Sequence, residues 1–172
     1  MDSILFTIGF TQKTAEEFFR LLIEAGVQKI IDIRENRAGQ LQGFARFPDI
    51  AYFLQRIAGA EYVYQPLLAP TLEIRKAYRS TRDWEQYEKS FRQLMGQRSA
   101  LDLMNPDDYN GKVAFLCSEP TPEKCHRRLV AEMLAEKWIA AGHSVKVRHL
   151  VIPKPVRSKR RQSRADGRTD SV

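Results

Sequence analysis

Both cysteines of the chain, Cys117 and Cys125, fall within nine residues of each other in the stretch FLCSEPTPEKCHRRLV at 115–130, beside Glu119, His126 and Arg127. A thiol needs a nearby base to lose its proton and nearby positive charge to keep the thiolate. On that chemistry Cys117 is the candidate nucleophile or redox thiol and His126 its base, with Glu119 or Asp32 as acid/base partner. Arg34 and Arg127 would hold an anion, with Thr7, Gly9 and Cys125 completing a ligand-binding set. The expected ligand is a small anion, phosphorylated or nucleotide-like, and the pattern specifies no cofactor.

Two other chemistries fit the spacing less well. Cys117, Cys125 and His126, with Asp32 as a fourth group, have the donor types of a zinc site. The C-x7-C-H spacing is not a zinc pattern, however, and adjacent Cys125 and His126 diverge by about 100° on a helix, so no metal site is assigned. A phosphatase-like C-x5-R loop fails because Glu123 stands where the arginine belongs. Each residue also has a plainer explanation on its own: Cys117 and Cys125 as small core side chains, His126 as a satisfied core histidine, Asp32 and Arg34 as a local ion pair.

The elements that must position these groups can be read from the chain. ILFTIGF (4–10) is strand-like. TAEEFFRLLIEAG (14–26) has helical spacing, a capping box at Thr14 and Glu17, and a stop at Gly26. VQKIIDIR (27–34) reads as a strand buried on both faces. After the polar loop 35–48, DIAYFLQRIAG (49–59) reads as a helix and AEYVYQPL (60–67) as a strand. Two amphipathic helices follow, around 71–79 and at 83–97. GKVAFLCSE (111–119) is the fourth strand, TPEKCHRRLVAEMLAEKWIAAG (121–142) a helix capped by Thr121 with Pro122 in its first turn, and SVKVRHLVI (144–152) the fifth strand. This alternation predicts an α/β fold, a single domain over 1–152 with a mostly parallel central sheet of about five strands flanked by helices.

In such sheets ligands bind beyond the carboxyl ends of the strands. Thr7, Gly9 and Phe10 end the first strand, Asp32 and Arg34 the second, and Cys117, Ser118 and Glu119 the fourth. At 100° per residue, Leu129, Val130, Met133 and Leu134 define an apolar face with His126 at its middle, so His126 should point at the sheet close to Cys117. Cys125 is expected about one turn inside that helix.

These segments carry a resemblance. Thr7-Ile8-Gly9-Phe10, Asp32-Ile33-Arg34, Cys117-Ser118-Glu119 and Cys125-His126-Arg127, in that order, resemble the domain-of-unknown-function 488 family over roughly residues 4–152. The resemblance implies a compact α/β domain with a polar pocket. It also implies a basic, Pro-containing segment after the second strand, which here is ENRAGQLQGFARFP with Arg37, Arg46 and Pro48.

Charge separates the chain into two parts. Of a net charge of +7, the last twenty residues (153–172) carry seven basic and two acidic side chains and almost no large apolar ones. They read as a basic disordered tail. Such a tail supports an alternative function, a nucleic-acid-associated binding module with sequence-independent phosphate contacts. A third possibility is a thiol redox switch between Cys117 and Cys125. The chain start has no basic n-region and no long apolar run, and no stretch approaches the ~18 apolar residues of a membrane span. A cytoplasmic protein with reduced thiols and no membrane partner is expected.

Overall fold

Five parallel strands form the centre of the chain in a computed structural model, which describes residues 2–39 and 43–153. The elements in chain order are β1 (Asp2–Gly9), α1 (Ala15–Ala25), β2 (Lys29–Asp32), α2 (Asp49–Phe53), β3 (Glu61–Tyr64), α3 (Leu72–Thr81), α4 (Trp84–Gln97), β4 (Lys112–Cys117), α5 (His126–Ala140) and β5 (Ser144–Leu150). A π-helical turn, Leu54–Ala58, continues α2. The sheet order is β3-β2-β4-β1-β5 and every pairing is parallel. β4 therefore lies between β1 and β2, and its carboxyl end is flanked by theirs. Most of the basic tail, residues 154–172, lies outside the described residues, as do Gln40–Gln42 of the loop after β2.

The pleat divides the core into two layers. Phe6, Ile8, Ile30, Ala114 and Leu116 pack against Phe18, Phe19 and Leu22 of α1 and Ile50 and Leu54 of the α2 segment. Leu5, Ile31, Val113 and Phe115 face the opposite layer, built from Tyr87, Phe91 and Met95 of α4 and the buried face of α5. Each of these fully buried Leu, Ile and Phe side chains contributes roughly 1.5–3 kcal/mol. α3 sits outside α4, anchored by Ile74 and Tyr78.

Local signals set several boundaries. Thr14 accepts from the Glu17 amide at 3.1 Å while the Glu17 carboxylate accepts from the Thr14 amide at 2.8 Å, so the capping box is formed. Gly26 closes α1 with φ 67°, a left-handed cap that glycine adopts without strain.

One boundary differs from expectation. The last helix begins at His126, not near Thr121, and Cys125 is its N-cap with extended backbone (φ −140°, ψ 137°). Tertiary hydrogen bonds override the Thr121–Pro122 signal. The Ser118 carbonyl accepts from the Thr11 amide at 3.1 Å, the Glu119 carbonyl from Arg127 Nη1 at 2.6 Å, and the Pro120 carbonyl from Lys13 Nζ at 3.3 Å. Residues 118–125 are thereby held as a loop folded over the end of β1. Among the described residues no helix is long and apolar enough to cross a membrane.

Candidate functional site

Cys117 is the last residue of β4 and shares its face with Val113 and Phe115, so its side chain turns toward the α4 and α5 layer. His126, the first residue of α5, meets it there: Nδ1 lies 3.6 Å from Cys117 Sγ. The other ring nitrogen, Nε2, is 3.1 Å from the Ile33 carbonyl. A carbonyl only accepts, so Nε2 carries a hydrogen and Nδ1 is the atom that exchanges a proton with the thiol. Both side chains are buried, and Phe91 packs on the imidazole with ring centroids 5.8 Å apart.

The shorter helix changes the place of Cys125. Because it caps the helix instead of lying one turn inside, the 100° divergence from His126 does not apply. Its sulfur, the Cys117 sulfur and a His126 nitrogen lie within 4.8 Å of one another. Arg127 is fully buried beside them; Nη1 donates to the Glu119 carbonyl and, at 3.2 Å, to Cys125 Sγ. Its Nε and Nη2 have no hydrogen-bond partner among the described residues, and no carboxylate there forms an ion pair with it. A buried cation without an anion is costly, and the groups whose negative charge reaches it are the Cys117 thiolate and the Glu119 carboxylate.

The electrostatics agree. Hydrogen bonding from Cys125 and the positive charge of His126 and Arg127 hold the Cys117 thiol well below its ordinary range, despite burial. Burial pushes the Cys125 thiol well up, and its role as donor to Cys117 adds to the rise. Burial works against the His126 imidazolium, but the Cys117 thiolate and the Ile33 carbonyl raise it above the ordinary histidine value. The Glu119 carboxyl is also raised, first by desolvation and then by the Cys117 charge, with Arg127 opposing.

Asp32 and Arg34 form a second, separate pair. Asp32 is wholly buried and accepts from Arg34 Nε at 2.8 Å, Arg34 Nη2 at 2.6 Å, the Arg34 amide at 3.1 Å and the Tyr62 hydroxyl at 2.7 Å. Arg34 also donates to the Ala45 carbonyl at 2.8 Å and lies beneath the Phe10 ring. The carboxylate is thus fully engaged in holding the guanidinium.

Thr7 and Gly9 serve the frame. The Thr7 hydroxyl is 2.8 Å from His149 Nδ1 on the neighbouring β5. A Cβ at Gly9 would stand 1.7 Å from the Glu119 carbonyl oxygen and 2.9 Å from Arg127 Nη1, so only glycine lets the 118–125 loop close over β1. In the loop after β2, Arg37 stacks on Phe47 and Tyr64, 4.2 and 3.6 Å from their ring centroids.

Cys117, Cys125, His126 and Arg34 all line a cleft of about 790 Å³. Its charge comes from five cations, Arg34, Arg75, Arg79, Arg82 and Lys124, against the two carboxylates Glu35 and Glu119. Three of these arginines come from α3 and its cap, which sequence reasoning did not connect with the site. The i, i+4 spacing of Arg75 and Arg79, which puts both on one helix face, was the available signal. Tyr62 was missed too, because its role depends on β3 lying beside β2.

The two sulfurs and His126 would offer three donors to a soft metal ion. Arg127, donating to one of those sulfurs, competes for its lone pair and repels a cation. The charge pattern suits a thiolate–imidazolium pair beneath an anion better than it suits a metal.

No match is found among curated proteins or among solved structures. A family model described as Domain of unknown function DUF488 matches residues 14–134, most of the chain and all of the segment from α1 through the Cys117, Cys125 and His126 site. The chain belongs to the DUF488 family.

Proposed function

We propose that the protein is an enzyme in which the Cys117 thiolate attacks a small anionic ligand bound in the cleft, with His126 as its acid–base partner. The observation that carries this reading is the double engagement of His126, Nε2 on the Ile33 carbonyl and Nδ1 on the Cys117 sulfur. That arrangement leaves one tautomer able to take the thiol proton and return it. In the step so supported, Sγ forms a bond to an electrophilic centre of the ligand and the bond to the leaving group breaks. The Nδ1 proton of the imidazolium goes to the leaving group. Glu119, raised in pKa at the cleft, is a second proton carrier. Asp32 acts through Arg34, which it fixes in the cleft wall.

Paired labelling tests this. Iodoacetate is anionic and iodoacetamide neutral, and both alkylate thiolates. At neutral pH Cys117 should be labelled faster than Cys125, and the iodoacetate-to-iodoacetamide rate ratio should exceed that of a small free thiol. Preferential labelling of Cys125, or a ratio below that of the free thiol, contradicts the reading.

A second reading, a reversible Cys117–Cys125 disulfide, is favoured by the proximity of the two sulfurs and by their opposed pKa shifts. It requires a two-electron oxidant such as a hydroperoxide. Mass spectrometry after peroxide treatment would detect the loss of two hydrogens.

A further inference from the structure

We propose that the end of α3 carrying Arg79 and Arg82 recognises a diphosphate group, so that the ligand of the cleft is a diphosphate ester. This deepens the reading of the cleft as an anion-binding site, but the binding itself does not depend on Cys117 being reactive.

The argument begins with helical spacing. Arg75 and Arg79 fall on one face of α3, Arg82 caps the helix, and all three line the cleft. Arg75 is committed to Glu35. Arg79 and Arg82 are exposed and form no close ion pair among the described residues; Arg79 feels the Glu119 carboxylate of the same cleft only through space. By contrast, Arg20, Arg92 and Arg128 each pair with a glutamate four residues along their own helices. Arg82 also ends α3 with φ 57°. Glycine or asparagine adopts that left-handed cap at lower cost, so an arginine there points to a use for its side chain.

Size selects the ligand class. Arg79 stands in the last turn of α3 and Arg82 caps it, and both line one cleft; two separate guanidiniums suit two adjoining phosphates, one each, better than a single phosphate. Lys124 stands in the same cleft and can share the charge. Cys117, Cys125 and His126 line the same cleft, so a ligand held by its diphosphate on α3 can extend its ester end to the thiolate. The five cations share the cleft with two carboxylates, Glu35 and Glu119, which would repel a continuous phosphate backbone, so a short anion fits better than an extended nucleic-acid strand.

The test is calorimetric titration of the full chain with inorganic pyrophosphate and orthophosphate at matched ionic strength. It is run on the natural sequence, on Arg79→Gln and Arg82→Gln singly and together, on Cys117→Ser, and on Lys146→Gln/Arg148→Gln as a control on β5. The proposal expects one pyrophosphate per chain, bound at least tenfold tighter than orthophosphate. Affinity should fall tenfold or more in the Arg79/Arg82 double variant, remain unchanged in the β5 control, and not fall in Cys117→Ser, which only removes a negative charge from the cleft. Equal binding of the two anions, or full binding by the double variant, overturns it; the latter would place the anion away from Arg79 and Arg82. A single-stranded oligonucleotide that displaces pyrophosphate and itself depends on Arg79 and Arg82 would overturn it in favour of nucleic acid. Failure of Cys117 to act as a nucleophile, with pyrophosphate binding intact, counts against the proposed chemistry and leaves the diphosphate site standing.

Discussion

Nδ1 of His126 lies 3.6 Å from the Cys117 sulfur while Nε2 of the same ring lies 3.1 Å from the Ile33 carbonyl. One side chain thus joins the end of β4 to the residue just after β2. Ile33 sets the tautomer, and the tautomer sets which nitrogen meets the thiol. With Arg127 buried alongside, the arrangement is an interior ion pair with positive charge to spare.

That pair has a predictable pH dependence. The folded-state pKa of Cys117 is lowered, so its contribution to stability is present above the ordinary thiol value of ~8.5 and is lost as pH falls through the lowered value. The folded-state pKa of His126 is raised, so its contribution is full below the ordinary ~6.5 and is lost as pH rises through the raised value. Urea unfolding across pH should show the stability difference between the natural sequence and Cys117→Ser shrinking on the acid limb. The difference from His126→Gln should shrink on the alkaline limb. A difference independent of pH in both variants would remove the ion pair.

Asp32→Ala should be among the most damaging substitutions. It leaves Arg34, 5% exposed, with the Ala45 carbonyl as its remaining hydrogen-bond partner among the described residues. Breaking a buried pair from one side costs about 3–5 kcal/mol, and thermal unfolding should show a correspondingly large drop in Tm. Tyr62→Phe removes one hydrogen bond to the same carboxylate and should cost less, about 1.5–3 kcal/mol.

Much of this was legible in the sequence, for reasons that can be traced to particular residues. The capping box at Thr14, the apolar face through Leu129, Val130, Met133 and Leu134, and the alternation of strands and helices are local signals that tertiary packing reinforces. The approach of His126 to Cys117 follows from the helical periodicity of α5 and from the place of Cys117 at the end of a strand. The start of α5 was not legible, because the bonds that hold 118–125 as a loop come from Thr11, Lys13 and Arg127, two of them more than a hundred residues away. The insertion of β4 between β1 and β2 and the approach of α3 to the cleft are long-range results of the same kind. Without that topology, Tyr62, Arg79 and Arg82 carry no visible link to the cysteines.

Gly9→Ala should disturb the site without replacing any of its ionisable groups. The added methyl overlaps backbone at Glu119, which cannot swing away as a flexible side chain would. Overpacking of this kind costs about 1–3 kcal/mol. Because the displaced loop leads directly into Cys125 and His126, Cys117 alkylation at neutral pH should also slow severalfold. Unchanged stability and labelling would mean that the loop is not held as described.

Arg127→Met separates the charge of Arg127 from its bulk. Two of its nitrogens are already unpartnered, so the methionine should cost less stability than the loss of a fully bonded buried arginine. The coupling appears in a double-mutant cycle with Cys117→Ser: removing Arg127 should hurt more when the thiolate is present than when it is absent. An additive cycle in urea unfolding would show that Cys117 is not the counter-charge of Arg127.

The most direct measurement is the ultraviolet absorbance of the thiolate as a function of pH, which reads ionisation without needing a reagent to enter the cleft. It would be made on the natural sequence, on His126→Gln, on Cys117→Ser, which retains Cys125, and on Cys125→Ser, which retains Cys117 without the hydrogen bond from Cys125. The predicted result is a Cys117 thiolate formed well below ~8.5, the ordinary thiol value, a Cys125 thiolate formed above it, and a Cys117 transition moved upward when His126 is replaced. A Cys117 that titrates at or above the ordinary value, with no response to the loss of His126, would contradict the thiolate–imidazolium pair and return Cys117 to the role of a buried core residue.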